Sequence, residues 1–546
     1  MSAALVLAVH QSNPVVGDLA GNADSILGAR ANEAAADLLV TPELSLIGYP
    51  PEDLVLKPAL ADAANRELER LAQATADGGP ALLVGTVWRT EAGLHNAMAL
   101  LDGGRVAAVT RKHELPNYGP FDEKRVFVPG PLPDPLAFRG RLLGVPICED
   151  IWRPTVAGHL RKNGAEVLIV PNGSPYELGK EHRRLELARA RVSETGLPLL
   201  YVNRAGGQDE LVFDGGSFAV AADGALALRM DDWDEATASV RVAGGEVSGG
   251  SLATPDTEEE EIWHAMLVGL RDYVNRNRFP GVVLGLSGGI DSAVSAAVAV
   301  DALGPDRVWC LMMPSRYTSR ESLDDAEICA RMLGVRLDSI GIEPAVDAFG
   351  NMLAGVFEGR GPDIAEENIQ SRIRMVTVMA VSNKFGHMPL TTGNKSEMSV
   401  GYATIYGDMA GGYSVLKDLY KTMVFRLARW RNAHRPRLGL GPAGPVMPDR
   451  VITRPPTAEL RADQKDEDSL PPYERLDAIL EGLVDHENSA ADLIAAGHDP
   501  AEVARIERLL YVAEYKRRQA PPGVKISARS FGRDRRYPIT NAFRTV

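Results

Sequence analysis

The sequence predicts an α/β protein of two layered domains, and three observations predict it. From Leu5 to about Val240, short apolar runs alternate with helical stretches. The stretch AGGEVSGGSLATPDTEEEEI then breaks the pattern with Gly, Ser, Pro and an acidic run, the composition of a linker. Beyond it strand and helix alternate again, opening on VVLGLSGGIDS at residues 282–292. A chain of 546 residues is longer than one ordinary core supports, so the spacing predicts domains at 1–245 and 261–546, joined by a linker at 246–260.

In the first half, LVLAVH, DLLVTPE, ALLVGTVW, NAMALLD, LLGVPICED, EVLIVPN and PLLYVNR read as strands. KEHRRLELARARVSET is a helix between the last two, and SFAVAADG with ALALRM reads as a hairpin about a Gly turn. Such strongly apolar strands belong in a sheet covered on both faces. In the second half, a helix from about Asp256 to Arg278 leads into the 282–292 stretch. The strand RVWCLMMP, a helix over Ser319 to Leu333, the strand VRLDSIGI and long helical segments follow. That order predicts a doubly wound parallel sheet of Rossmann-like type, with ligands at the C-terminal ends of its strands. Residues Leu438 to Pro472, rich in Pro, Gly and charge, read as a mobile lid.

Composition narrows the function. Hydrophobic content of 45% and charge of 24% exclude a largely disordered chain. A net charge of −14 argues against a general nucleic-acid binder. No apolar run approaches membrane-spanning length, and the N-terminus runs straight into a strand. The three cysteines, Cys148, Cys310 and Cys329, show no CxxC spacing, so a reducing, cytoplasmic setting is expected.

VVLGLSGGIDS places a strand, a Ser-Gly-Gly turn and a helix N-terminus in immediate succession. Glycines let backbone approach a ligand, and the free N–H groups of a first helical turn favour an anion, so a phosphate is the natural guest. There is no GK[ST] ending as in a Walker loop. The stretch resembles the pyrophosphate loop of ATP pyrophosphatases, which implies adenylation of a substrate with AMP and pyrophosphate as products. By that resemblance Gly285, Leu286, Ser287, Gly288, Gly289, Ile290, Asp291 and Ser292 bind ATP, and Asp291 supplies the charge a Mg²⁺ ion needs.

In the first domain, three polar residues terminate apolar runs: Glu43 in TPELSLIGYPPEDL, Lys112 in RKHELPNYGPFDEKRVF and Cys148 in LLGVPICEDIW. Singly, each has a bland reading as a turn carboxylate, a surface charge or a buried thiol. Together they resemble the carbon-nitrogen hydrolase (nitrilase) superfamily and its glutamine-amidase branch. The resemblance implies an α-β-β-α sandwich and a triad in which Glu43 takes the Cys148 proton while cationic Lys112 holds Glu43 and stabilises the oxyanion. It also implies Glu123 as a second carboxylate near the triad, and Tyr118, Ser174 and Lys180 as further glutamine contacts. Gly173 and Pro120 depart from the residues expected there.

In the second domain the loop is joined by EENIQSRIRM, TTGNKSEMSVGYATIYGDMAG, LKDLYKT, RPPTAELRADQKDEDSLPPYE and YKRRQAPPGVKISARSFGRDRR. The set is similar to the NAD synthetase family, and with the amidase domain it covers nearly the whole chain. The resemblance implies that Thr392 and Lys421 contact ATP, with Thr457 a weaker candidate. It implies that Asn368 and Arg372 bind the nicotinic acid dinucleotide, deamido-NAD, and that Glu397 serves substrate or Mg²⁺, with Asp408 a looser candidate. The basic run Lys516 to Arg536 suggests an anion pocket, with Lys516 preferred over Lys525 as the dinucleotide ligand. The expected substrates are L-glutamine, ATP and deamido-NAD, with ammonia passing between two sites by a shielded route. The expected assembly is a homo-oligomer built on a synthetase-domain dimer. Two other readings are a silent domain acting as a scaffold or nucleotide sensor, and a different adenylated acceptor such as xanthosine monophosphate.

Overall fold

Period-two alternation in the early strands sorts their side chains onto two sides of a sheet. The computed structural model describes residues 4–462, 464–468 and 470–543, and the chain divides into two units at Asp256 and Thr257. The first unit begins with β1 (Leu5–Gln11), α1 (Leu19–Asn32), β2 (Leu38–Val40), α2 (Pro58–Ala74), β3 (Ala81–Thr90), β4 (Gly93–Asp102) and β5 (Arg105–Arg111). Next come β6 (Leu136–Phe138), β7 (Arg141–Gly144), α3 (Pro154–Lys162), β8 (Val167–Asn172), α4 (Lys180–Thr195) and β9 (Leu199–Asn203). It closes with β10 (Ala205–Gln208), β11 (Leu211–Asp214), β12 (Phe218–Val220), β13 (Leu226–Arg229), β14 (Ala236–Ala243) and β15 (Glu246–Ser248).

Two large sheets result, a seven-stranded one ordered β15-β14-β1-β2-β3-β4-β5 and a six-stranded one ordered β13-β12-β9-β8-β7-β6, while β10 and β11 pair as a separate two-stranded ribbon. Leu38 and Val40, Ala81 and Leu83, Val167 and Ile169, Leu200 and Val202 meet in a core between the sheets. The intervening Leu39, Leu82 and Val84 pack with Leu68, Leu71 and Ala72 of α2. Leu168, Val170, Leu199 and Tyr201 pack with residues of α3 and α4. This is the α-β-β-α sandwich that the resemblance implies. β1, β2 and β3 run parallel, as do β7, β8 and β9, so the loops after them gather side chains at common sheet ends.

The segment expected as linker begins inside this unit. Gly244 and Gly245, both at positive φ, turn the chain so that β15 pairs antiparallel with β14. The backbone of Arg229 then bonds Ser251 and Ala253 at 2.9 Å each.

The second unit contains α5 (Glu258–Arg276), β16 (Val282–Gly285), α6 (Ile290–Leu303), β17 (Val308–Met312), α7 (Arg320–Leu333), β18 (Arg336–Ser339), α8 (Glu343–Leu353) and α9 (Ile364–Phe385). β19 (Met388–Thr391), α10 (Lys395–Val400), β20 (Tyr413–Ser414), α11 (Lys421–Ala433) and α12 (Asp449–Thr453) follow. The last helices are α13 (Tyr473–Val484), α14 (Ala490–Ala495), α15 (Pro500–Val512) and α16 (Glu514–Arg517). The long helical segments expected after β18 are thus one long helix, α9, and several short ones. Five parallel strands take the order β18-β17-β16-β19-β20, so the strand order reverses between β16 and β19. A crevice at the C-terminal ends of these two strands is where such a sheet binds ligands. Among the described residues no helix is long and apolar enough to cross a membrane.

The stretch expected as a mobile lid is partly core. Val446 and Met447 are fully buried. The wholly buried Arg431 donates to the carbonyls of Pro442 and Gly444 at 2.9 and 3.2 Å while pairing with Asp301 at 2.6 Å. A Pro- and Gly-rich backbone that cannot form a regular ladder is satisfied by a buried guanidinium instead.

Candidate active sites

In the first unit, Glu43 follows β2, Lys112 follows β5 and Cys148 follows β7. Lys112 Nζ donates to Glu43 Oε1 at 2.7 Å and to both oxygens of Glu123 at 2.9 Å, and Lys112 and Glu43 are fully buried. Asn96 Nδ2 donates to Glu43 Oε1 at 2.7 Å, and the Gly173 N–H donates to Glu43 Oε2 at 2.8 Å. Tyr49 Oη donates to Glu123 at 3.0 Å. Cys148 opens a short helical turn at a left-handed φ of 47°, a strained conformation for a residue with a side chain. Asp150 holds that turn by accepting from the N–H groups of Ile147, Glu114 and His113 at 2.9, 2.7 and 3.1 Å.

The electrostatics follow from burial. Burial pushes the Cys148 thiol well above its ordinary pKa, and the nearby Glu43 charge adds to that, so the resting sulfur is a thiol. Burial opposes the charge of Lys112, but Glu123 and Glu43 together hold its pKa above the ordinary lysine value. Burial raises Glu123 to about 7 against the pull of Lys112. A permanent cation therefore sits between two carboxylates beside a protonated thiol.

Around this cluster, Tyr118 is 53% exposed and donates to Glu149 Oε2 at 2.9 Å. Its ring meets Phe121 at 5.4 Å, and the Lys180 ammonium lies 5.7 Å from the Phe121 ring. Ser174 is buried, its hydroxyl accepting from Arg184 Nε at 3.1 Å. Gly173 is where the departure from the expected residue falls. A Cβ there would stand 3.0 Å from the Tyr49 ring and 3.3 Å from Glu43 Oε2, so glycine gives room beside the carboxylate.

In the second unit, the 285–292 loop leaves β16 at the reversal of strand order. Ser292 Oγ closes it, accepting from Ser287 N at 3.2 Å and donating to Gly289 O at 3.0 Å. Gly288 has φ 81°, and a Cβ there would meet Ser322 O at 2.2 Å, so only glycine fits. Asp291 accepts from Asn394 Nδ2 at 3.0 Å, and Asn394 also caps α10 by accepting from Glu397 N at 3.0 Å. Lys421 Nζ donates to Asp291 and, at 3.1 Å, to Glu397. Burial raises Glu397 to about 8, against the attraction of Lys421 and with help from the Asp291 charge. Burial opposes the charge of Lys421, but Asp291 and Glu397 hold its pKa above the ordinary value. Two hard-oxygen carboxylates thus converge on one cationic point, a donor set that suits Mg²⁺. Thr392 is half-buried at the end of β19.

A second cluster surrounds the 401–408 loop. Asn368 Oδ1 accepts from Thr404 Oγ1 at 2.8 Å, Arg372 Nε donates to Ile405 O at 3.1 Å, and Lys516 Nζ donates to Gly401 O and Ala403 O at 2.7 Å each. Asp408 organises the same loop through Ser371 Oγ at 2.9 Å and Thr404 N at 2.8 Å. Burial, with Arg372 close by, lowers the pKa of Lys516. Two cations held near each other mark a place that favours an anion.

Other expected residues lie elsewhere. Lys525 is buried and paired with Asp534 at 3.1 Å. Arg517 and Arg535 are spent on Glu514 at 2.7 and 3.0 Å, so the basic run does not form a pocket as a whole. Thr457 Oγ1 donates to Gln464 O at 2.6 Å within its own loop.

Sequence reading missed Asn96, Gly173 as a backbone donor, Asn394 and Glu459. Asn96 stands at the head of the apolar run NAMALLD with nothing nearby to mark its role, whereas Asn394 stands directly before α10 as a helix cap does. Glu459, at φ 48°, accepts from Ser319 Oγ and Ser322 Oγ at 2.8 Å and from Arg454 at 3.0 Å, and tertiary folding alone reveals this.

Comparison with known proteins agrees with both halves. Residues 6–248 match the family described as carbon-nitrogen hydrolase, and residues 262–520 match the family described as NAD synthase. The chain is 52% identical to a glutamine-dependent NAD(+) synthetase of Rhodobacter capsulatus over 98% of each chain. It is 40% identical to one from Thermotoga maritima over 99% of each. A solved structure of glutamine-dependent NAD+ synthetase from Acinetobacter baumannii, in complex with adenosine diphosphate, covers 100% of both chains at 40% identity with a TM-score of 0.79. With identity at this level along its whole length, the chain belongs to the glutamine-dependent NAD(+) synthetase family.

Proposed function

We propose that the first unit hydrolyses L-glutamine and that the second joins the released ammonia to adenylated deamido-NAD, giving NAD, AMP and pyrophosphate. The observation that carries this reading is the completeness of both charge clusters, Glu43–Lys112–Glu123 beside Cys148 and Asp291–Lys421–Glu397 at the reversal of strand order.

In the amidase step, Glu43 takes the Cys148 proton as sulfur attacks the amide carbon. A buried thiol of raised pKa needs a base in contact at that moment. Lys112, cationic throughout, holds Glu43 and steadies the negative oxygen of the tetrahedral intermediate. The proton returns to the departing nitrogen, ammonia leaves, and water hydrolyses the γ-glutamyl thioester. Tyr118, Ser174 and Lys180 hold the glutamine, and the ammonium of Lys180 suits its α-carboxylate.

In the synthetase step, the N–H groups of the 285–292 loop and the Lys421 ammonium bind ATP, joined by Thr392. Asn368, Arg372 and Lys516 bind deamido-NAD so that its nicotinate carboxylate meets the α-phosphorus. Asp291 and Glu397 would hold Mg²⁺, which supplies charge neutralisation for the leaving pyrophosphate. The second unit dimerises through α8 and α9. α8 buries none of its residues, and Phe349, Met352, Val356, Ile364 and Val376 are 43%, 72%, 78%, 69% and 68% exposed.

An Asp291→Ala variant tests the synthetase assignment. It is expected to lose NAD formation at least 100-fold with either glutamine or ammonium, while glutamine hydrolysis continues. Unimpaired NAD formation would remove Asp291 from the site. Replacing deamido-NAD with xanthosine monophosphate should abolish AMP release by the wild-type protein, and turnover of that nucleotide would favour a different acceptor.

A further inference from the structure

We propose that Asn96 is a positioning residue of the amidase site, setting the geometry of the base and of the lysine at once. The proposal rests on the triad reading above. Asn96 lies on β4 and is 1% exposed. Its Nδ2 donates to Glu43 Oε1 at 2.7 Å, its backbone oxygen accepts from Lys112 N at 2.9 Å, and Lys112 Nζ returns to the same Glu43 oxygen at 2.7 Å. One residue therefore touches the side chain of one triad member and the main chain of another.

The consequence for proton transfer follows from counting lone pairs. A carboxylate oxygen accepts about two hydrogen bonds. Among the described residues Glu43 Oε1 has two donors, Lys112 and Asn96, whereas Oε2 has one, the Gly173 N–H. The remaining acceptor position is on Oε2, so the three donors select which oxygen takes the Cys148 proton. Without Asn96, Oε1 regains a lone pair and the carboxylate can rotate about its Cγ–Cδ bond.

A cost to stability accompanies this arrangement. Asn96 Oδ1 is buried with no hydrogen-bond partner among the described residues. An unpaired buried acceptor is destabilising, and leucine, close to asparagine in shape, would avoid it. Packing alone therefore favours leucine at this position, and the amide is explained by the donor it offers Glu43.

The test uses the full-length protein. Asn96→Leu is expected to lower kcat for glutamine-driven NAD formation about 10- to 100-fold, the scale on which misplaced catalytic groups cost rate. KM for glutamine should change less than about threefold, ammonium-driven NAD formation should be unchanged, and Tm should be equal or higher. Alkylation of Cys148 by iodoacetamide should slow in the same proportion as kcat. Asn96→Asp keeps the size but faces Glu43 with a second carboxylate, and at pH 8 its loss should be at least as deep. Full glutamine turnover in either variant overturns the proposal. So does an equal loss with ammonium accompanied by a lower Tm, which is the signature of a purely structural role. A Cys148→Ala protein that still used glutamine would instead strike the triad itself, so the two failures are distinguishable.

Discussion

At the scale of single residues, both candidate sites set buried charges against each other. Glu397 shows the consequence for pH. Burial raises it to about 8 in the folded protein, from an ordinary value of 4.5. The folded state therefore holds a proton that the unfolded chain gives up. Its contribution to stability is full below pH 4.5 and is lost as pH rises through 8. In metal-free protein, Glu397→Gln should abolish this dependence. Between pH 5 and pH 8 the wild type should lose stability progressively relative to the variant in paired unfolding measurements. A difference that stays constant with pH would mean that Glu397 is not the group responsible. Residues of this kind were unequally legible in the sequence. Glu43, Lys112 and Cys148 stood out because each ends an apolar run. Asn96 did not, because its partner Glu43 lies 53 positions away and only the pairing of strands brings them together.

At the scale of elements, local pattern was a good guide wherever one face of an element is buried. KEHRRLELARARVSET is helix α4, residue for residue, and the strands after which Glu43 and Cys148 sit were visible as apolar runs. Edge elements were less visible. β14 and β15 lie at the margin of their sheet, and ATASVRVA carries weak alternation. The Pro- and Gly-rich run after Leu438 signalled irregular backbone, but irregular did not mean mobile, because Arg431 collects its carbonyls. α8 and α9 carry the prediction at this scale. A Met352→Asp, Val376→Asp double variant places charge on the exposed apolar face while leaving the buried core alone. It should lower the mass measured by light scattering to that of a smaller assembly, with stability of each chain changed by about 0.5 kcal/mol or less. An unchanged mass would remove this face from the interface.

At the scale of the whole molecule, the chain couples a reaction that releases ammonia to one that consumes it. Adenylation turns a carboxylate into an electrophile, and ammonia is a nucleophile only while unprotonated, so the two reactions suit each other chemically. Composition indicated two domains, and the chain divides between Asp256 and Thr257. Glycine-led turns carry β14 on into β15, so the first unit extends further than composition alone indicated. What sequence could not supply was the shape of each charge cluster, which depends on loops from distant strands meeting at one sheet end. The proposed division of labour has nitrogen supplied by Cys148 and used at the Asp291 site. NAD formation by a Cys148→Ala protein, measured with glutamine and separately with ammonium, tests it most directly. Complete loss is expected with glutamine and, with ammonium, a rate within about twofold of wild type, since the synthetase residues are untouched. Loss with both nitrogen sources in a folded protein, or activity with glutamine, would contradict it.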